Sequence, residues 1–386
     1  MNLFHDDVTP AALATDPTRL GQLFGEPGGL LPLWIAEPYL PLAPGVVAAL
    51  QGRAAKEWYG YEARPTETVQ AFWEWMTSRH GWVGTDLQTL VSPSVGTSIG
   101  VLLELLTDPG DGVILQPPVF TDFKPLITRA NRAVVRNSLV LQDGGYVMDL
   151  DGLAAAAAEP TTRAIILCNP HNPVGRVWTA DELTAVAAIC AEHEVFVIAD
   201  EIHADLALPG FPFTPFAKAA ADSGVSWAAT HGPIKTFGLA GVCDTLIVTD
   251  NEATAAGFRA RSSQLHLTRN NVFAVAAFTA AYRTAEPWLI DLLELVQHNV
   301  ELLENGLPPG IGLIPPQATY LAWVDFRTLG LEVPALATWL AASGLALSPG
   351  HWFGREGAGF ARMTVAVPSP LIEEAIGRLT RAVAAR

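Results

Sequence analysis

The sequence predicts an α/β fold: a mostly parallel sheet wrapped by helices, with a smaller α+β unit beside it. Three observations carry this. Short runs that are apolar on both faces alternate with helix-like segments through the middle of the chain, the pattern of a sheet covered on both sides. The last third differs, with a long amphipathic helix and strands of alternating polarity. The length, 386 residues, exceeds what a single core usually holds. The expected division is a large unit at 46–275 and a small one built from 1–45 and 276–386.

The elements follow in order. Ser94-Val-Gly-Thr-Ser98 leads into an apolar helix at 99–106. Residues 112–116 (GVILQ) form an apolar run that stops at Pro117-Pro118. The alanine run at 154–158 reads as a short helix. Residues 163–168 (RAIILC) are the next strand, ending at Asn169-Pro170. Thr179-Ala-Asp-Glu182 has the Thr-x-x-Glu form of a capping box and opens a helix to about residue 192. Residues 194–199 (EVFVIA) form a buried strand followed by Asp200. Strands at 225–230 and 244–249 flank a loop that carries Lys235. Further on, 289–303 reads as a helix and 320–326 (YLAWVDF) as a half-exposed strand. A strand from Arg362 and a helix at 370–385 close the chain.

Acidic residues number 39 and basic ones 23, a net charge of −16. Such a surface repels phosphate backbones and argues against a nucleic-acid partner. No apolar run reaches the roughly 18–20 residues of a membrane span. Residues 1–13 carry early acids and lack the basic-then-apolar plan of a signal peptide. Cys168, Cys190 and Cys243 have no C-x-x-C spacing, which fits a reducing cytoplasm. Charged residues make up only 16%, well below the roughly 25% of ordinary domains, which suits a large buried subunit interface. There are four lysines: Lys56, Lys124, Lys218 and Lys235.

Ligands in parallel sheets bind beyond the C-terminal strand ends. Three successive strand ends here deliver Asn169 and Asn172, then Asp200, then Lys235. Each has an ordinary reading: a turn for the Asn-Pro pairs, a helix N-cap for Asp200, a surface position for Lys235. Together they suit pyridoxal 5'-phosphate. A lysine amine condenses with its aldehyde, an aspartate keeps its ring nitrogen protonated, and an asparagine can donate to its 3-oxygen. The glycine-containing turn at Ser94–Ser98, leading into a helix, can hold its phosphate.

Asn169-Pro-His-Asn-Pro-Val-Gly175, Asp200-Glu-Ile-His203 and Lys235-Thr-Phe-Gly-Leu-Ala-Gly241 resemble the fold-type I pyridoxal-phosphate enzymes of the class I/II aminotransferase superfamily. Within it, Asp200-Glu-Ile-His-Ala-Asp205, Gly175-Arg-Val-Trp178, Gly60-Tyr61, Trp34-Ile-Ala-Glu37 and Tyr320-Leu-Ala-Trp-Val-Asp325 resemble the MalY/PatB-type, cystathionine β-lyase-like C–S lyases. The likeness runs from about residue 20 to the end. It implies a seven-stranded, mostly parallel sheet in the large, cofactor-binding domain and a cytoplasmic homodimer with sites at the subunit interface. It implies no metal, an amino-acid substrate, and β-elimination from an L-cysteine S-conjugate to thiol, pyruvate and ammonia. Two alternatives stand beside that activity. One is an aminotransferase. The other is a specialised biosynthetic relative that cleaves a large S-conjugated cysteine or couples decarboxylation to oxidative deamination, as in lincosamide-type pathways.

The resemblance also implies site roles. Lys235 carries the cofactor and moves protons at the substrate Cα, and Asp200 pairs with the ring nitrogen. Asn172 and His203 lie near the ring 3-oxygen. Val95 and Gly96 offer backbone donors to the phosphate, and Phe120 stacks on the ring. Tyr61, a catalytic and substrate-contacting residue as well, reaches the phosphate of the neighbouring subunit's cofactor. Arg362 grips the substrate α-carboxylate, with Asn172 beside it. Some positions depart from the family habit. Ile234 stands where serine usually precedes the lysine, and Gly232 lies three before it. Phe120 replaces tyrosine, and Gly238 replaces a common asparagine. His203 stands where many relatives have tyrosine.

Overall fold

The structure, a computed structural model, describes residues 12–25 and 28–386. Of the opening stretch read above for a leader, only residues 12 and 13 fall among them.

The centre is a seven-stranded sheet. Its strands are β1 (Gln88–Ser92), β2 (Gly112–Leu115), β3 (Ala133–Arg136), β4 (Thr162–Cys168), β5 (Phe196–Asp200), β6 (Trp227–His231) and β7 (Thr245–Thr249). Their spatial order is β1-β7-β6-β5-β4-β2-β3. Pairs from β6 through β3 are parallel, and β7 runs antiparallel to both its neighbours. Every residue of β5, β6 and β7 is buried, which their near-continuous apolar runs require. The pleat sends alternate residues to two cores. Ile165, Leu167, Val197 and Ala199 enter one, while Ala164, Ile166, Cys168 and Ile198 enter the other.

Six longer helices matter for the site. They are α1 (Thr66–His80), α2 (Val95–Leu106), α3 (Ala180–Glu192), α4 (Val272–Thr284), α5 (Glu286–Gly306) and α6 (Ser369–Ala384). The capping box forms as read: Glu182 N–H donates to Thr179 Oγ1 at 3.2 Å, and Thr179 N–H donates to Glu182 Oε2 at 2.8 Å. Helix α2 begins at Val95 rather than at residue 99, because Ser94 caps it and the polar first turn is already helical. The residue-276 boundary falls inside α4, which packs on α1 and on the helix Pro44–Ala54.

A second sheet is antiparallel, with strands β8 (Gly312–Ile314), β9 (Leu321–Asp325), β10 (Ser348–Pro349) and β11 (Phe360–Thr364) in the order β8-β9-β11-β10. Helices α5 and α6 pack together in this part of the chain. Strand β9 is not half-exposed as its alternation predicts. Only Asp325 is partly open, and Tyr320, Ala322, Trp323 and Val324 are fully buried. The strand is internal to its sheet, and both of its faces are covered. Trp323 stacks on Phe360 at 5.2 Å and donates from Nε1 to Tyr146 Oη at 3.2 Å, on the hairpin that follows β3. The N-terminal segment joins this unit: Leu31 and Pro32 pair in parallel with Leu345 and Ala346, and Thr364 N–H donates to Leu33 O.

Candidate active site

Parallel strands point their C-terminal ends the same way, so β4, β5 and β6 deliver their following residues to one edge. Asp200 is the last residue of β5 and is 4% exposed. Its Oδ1 accepts from Thr230 Oγ1 at 2.9 Å and from Ile202 N–H at 3.3 Å. Burial lifts its pKa to about 6, against the pull of those two hydrogen bonds and of the Lys235 and His231 charges. Lys235 sits on the short helix Pro233–Thr236 beyond β6. Its Nζ donates to the Ala36 carbonyl at 2.8 Å. Burial, and then the Arg362 charge, lower its amine from 10.5 to about 8; Glu37, Asp200 and Asp122 pull the other way. The other three lysines are exposed, with Lys124 and Lys218 on short helices.

Arg362 arrives from the other sheet. It pairs with Trp323 across β11 and β9, so register puts both side chains on one face of that sheet. The guanidinium lies over the Phe353 ring at 4.8 Å. Nη1 donates to Asn172 Oδ1 at 3.2 Å, and Nη2 donates to Trp34 O at 2.9 Å. Ser348 Oγ, 3.5 Å from Nη2, itself donates to Trp34 O at 2.8 Å. Arg362 is 6% exposed, and its Nε has no hydrogen-bond partner. No carboxylate among the described residues forms an ion pair with it, and burial lowers its pKa to about 10. A buried guanidinium with no anion is costly, and an anion from outside would offset that cost.

His203 closes the cluster. It is 3% exposed, and its Nδ1 has no partner. Burial, with the Lys235 and Arg362 charges, holds its pKa well below the ordinary value, so the ring is neutral. Its edge meets Tyr320, whose hydroxyl donates to the same Ala36 carbonyl at 3.2 Å. Half-buried Glu37 follows Ala36. Burial raises its pKa, and Lys235 lowers it. Asp205 braces the edge from behind: its carboxylate accepts from Trp75 Nε1 at 2.8 Å and Thr236 Oγ1 at 3.0 Å, and it contacts His80 Nε2 at 2.8 Å. Asn169, unlike Asn172, is tied away, donating to Glu201 Oε1 and Thr214 O.

At the start of α2, Ser94 Oγ accepts from Thr97 N–H at 3.1 Å. The amides of Val95 and Gly96 precede the first bonded turn and are free to serve an anion. A Cβ on Gly96 would meet only Ser94 Oγ, at 3.9 Å. Nothing within the chain therefore requires glycine there. Val95 and Phe120 both pack against the same core, and Phe120 meets Phe123 edge-on. Tyr61 is not brought to this cluster. It is 86% exposed, with the Arg269 guanidinium 5.4 Å from its ring.

The profile described as aminotransferase class I and II matches residues 40–379. The chain belongs to that family. It is 34% identical over 368 residues to cystathionine β-lyase PatB of Bacillus subtilis, covering 94% of this chain and 95% of the relative. It is 31% identical to protein MalY of Escherichia coli, covering 92% of each. The crystal structure of cystalysin from Treponema denticola, which contains a pyridoxal 5'-phosphate cofactor, superposes with a TM-score of 0.90 at 27% identity, covering 99% of this chain and 98% of that one. The family's cofactor is pyridoxal phosphate, and this chain is an enzyme of the same class with the fold-type I architecture.

The residues present fit that group. Lys235 supplies an amine that loses its proton readily, Asp200 a buried carboxylate, and His203 an unpartnered nitrogen. The first amides of α2 supply an anion cradle beyond them. Two of the departures at the lysine turn have local causes. A Cβ on Gly232 would already lie 3.3 Å from Asp244 O and from Thr245 Cα, so the strand crossing leaves little room for serine. Gly238 has φ +69°, a conformation that asparagine also tolerates. Ile234 packs against the larger core.

Sequence reading overlooked the segment Trp34–Glu37 and Ser348 as site components. The Trp34-Ile-Ala-Glu37 likeness was the available signal. What it could not convey is that two backbone carbonyls, of Trp34 and Ala36, hold Arg362 and Lys235.

Proposed function

We propose that the chain is a C–S lyase that removes a thiol from an L-cysteine S-conjugate by β-elimination, releasing pyruvate and ammonia. The observation that supports this most is a readily deprotonated amine and a buried guanidinium at one edge of the sheet. The Lys235 amine is brought down to about 8, and the Arg362 guanidinium is left without a carboxylate. Those two groups answer the amino and carboxylate ends of an amino acid. The 34% identity to a cystathionine β-lyase supports the sulfur substrate.

When bound, pyridoxal phosphate supplies an electron sink for the pair left when a bond at Cα breaks. The chain does the rest. Asp200 would hold the ring nitrogen's proton, with Asn172 and His203 toward the ring 3-oxygen. Phe120 would cover a ring face, and the Val95 and Gly96 amides would hold the phosphate. Arg362 grips the α-carboxylate through two parallel hydrogen bonds, which orients Cα. The neutral Lys235 amine takes the Cα proton. The Cβ–S bond then breaks with its electron pair leaving on sulfur, which picks up a proton as thiol. The remaining three-carbon fragment takes up one water and gives pyruvate and ammonia. Tyr61, exposed in one copy, serves the cofactor phosphate of a second copy in a homodimer. The exposed rings of Trp58 and Tyr59 beside it support that contact. Three buried, unpaired cysteines suit a cytoplasmic enzyme.

The test is to load the purified protein with pyridoxal phosphate, add L-cystathionine and S-alkyl-L-cysteines, and follow thiol, pyruvate and keto acid separately. Thiol and pyruvate in equal amounts support elimination. A sulfur-bearing keto acid that forms only with an amino acceptor makes the chain an aminotransferase instead.

A further inference from the structure

His171 lies between the two asparagines of the turn after β4 and is fully buried. Its backbone closes that turn: His171 N–H donates to Arg176 O, and Gly175 N–H donates to His171 O, each at 2.8 Å. Its side chain reaches outside the turn. Nε2 lies 2.9 Å from the Pro118 carbonyl, on the loop between β2 and Phe120. A carbonyl only accepts, so Nε2 carries the ring proton and donates it. Nδ1 is buried without a partner, and burial lowers the ring's pKa to about 4. The neutral ring is a single fixed donor, neither an acid nor a base at ordinary pH. It packs edge-on at 5.5 Å against Trp178, which is itself tied down by Nε1 donating to Cys168 O at 2.9 Å.

The loop that receives this hydrogen bond is held from outside itself. Pro117 and Pro118 have no N–H to give. Leu139 N–H donates to Pro117 O at 2.8 Å, His171 donates to Pro118 O, and Val119 N–H donates to Phe353 O at 2.9 Å. These ties belong to a closed circuit. Asn172 Oδ1 accepts from Arg362 Nη1, the Arg362 guanidinium lies over the Phe353 ring, and Phe353 O holds Val119. His171 then joins Pro118 back to Asn172, its neighbour in the chain. Phe120 is two residues past Pro118, so the circuit spaces Phe120 from Asn172.

We propose that His171 is a positioning residue: its Nε2–H bond to the Pro118 carbonyl sets the spacing of Phe120 and Asn172, and so how tightly the chain grips the pyridoxal ring. This deepens the reading above, because it rests on Phe120 and Asn172 as ring contacts. It does not depend on which bond of the substrate is cleaved.

The experiment titrates the full-length apoprotein with pyridoxal phosphate and records the visible circular dichroism of the loaded protein. His171→Leu removes the donor. His171→Gln keeps one, because its amide nitrogen is as many bonds from Cβ as the imidazole Nε2. His171→Leu leaves the buried Pro118 carbonyl unpaired, so it should weaken cofactor binding about tenfold and shrink the visible dichroic band. His171→Gln should bind within about threefold of the wild type and restore the band. Phe120→Ala should weaken binding as well, and its loss combined with that of His171→Leu should be less than additive, because both act through one loop. Wild-type affinity with an unchanged band in His171→Leu overturns the proposal. So does a His171→Gln protein as impaired as His171→Leu, or a fully additive double variant. If His171→Leu fails to fold, His171→Asn, whose amide stops one bond short, takes its place in the same comparison. Failure of the ring-contact reading looks different and takes the proposal with it: Phe120→Ala and Asn172→Ala then bind pyridoxal phosphate as the wild type does.

Discussion

The two walls of the cleft are built in opposite ways. The cofactor wall, with Asp200, Asn172 and Lys235, hangs from consecutive parallel strands within about 65 residues of sequence. Its carboxylate is already hydrogen-bonded, by Thr230 and Ile202, and its lysine turn is braced by Asp205. The substrate wall is assembled from both ends of the chain: Trp34 to Glu37, Ser348 and Arg362. Its guanidinium has only neutral oxygens for partners, and its Nε has none. The first wall's carboxylate already has its hydrogen-bond partners. The second has no anion, and in the proposed function that deficit is what recognises a substrate. Changes to the first wall should therefore remove the cofactor's chemistry, while changes to the second should alter substrate affinity and leave the cofactor in place.

The largest effect separates the walls outright. Lys235→Ala should lower turnover at least about ten-thousandfold and remove the visible band of the loaded protein. Next, Asp200→Asn should cost about a hundred- to a thousandfold in kcat, and its absorption spectrum should change. On the other wall, Arg362→Lys should leave that spectrum intact yet lower kcat/KM by about ten- to a hundredfold, through KM, because lysine cannot supply two parallel hydrogen bonds. A loss of cofactor in Arg362→Lys would break the division. The smallest step is Ser348→Ala. Losing one neutral hydrogen bond to the Trp34 carbonyl should raise KM only about two- to tenfold.

The cofactor wall also carries a pH signature. Folding brings the Lys235 amine from 10.5 down to about 8. Between those values the unfolded chain binds a proton that the folded chain does not, so this group's contribution to apoprotein stability rises with pH across that window and is lost as pH falls through about 8. Urea unfolding of wild-type and Lys235→Ala apoproteins should show the wild type gaining on the variant as pH rises. A constant difference would mean the amine is not perturbed.

The same contrast explains what could be read in advance. The parallel strands, the Thr179 capping box, Asp200 and Lys235 were legible because local patterns determine them: two-sided apolar runs, a four-residue cap, strand-end polar residues. The substrate wall depends on pairings between residues more than 300 positions apart, such as Arg362 with Trp34. Carbonyl acceptors such as Ala36 O carry no residue-type signal at all. The exposure of β9 was misread for the same reason: its alternation is real, but Tyr146 and Phe360 cover Trp323 from elsewhere in the chain. Tyr61 illustrates the converse: the family resemblance implies a role for it, and the fold of the single chain leaves it exposed, away from the cluster.

Four lysines make one measurement decisive. The protein is loaded with pyridoxal phosphate, reduced with borohydride to fix the cofactor covalently, digested and mapped by mass spectrometry. The label should be found on Lys235 alone, in one-to-one amount. Label on Lys56, Lys124 or Lys218, or an unlabelled Lys235 in protein that holds the cofactor, would contradict the account.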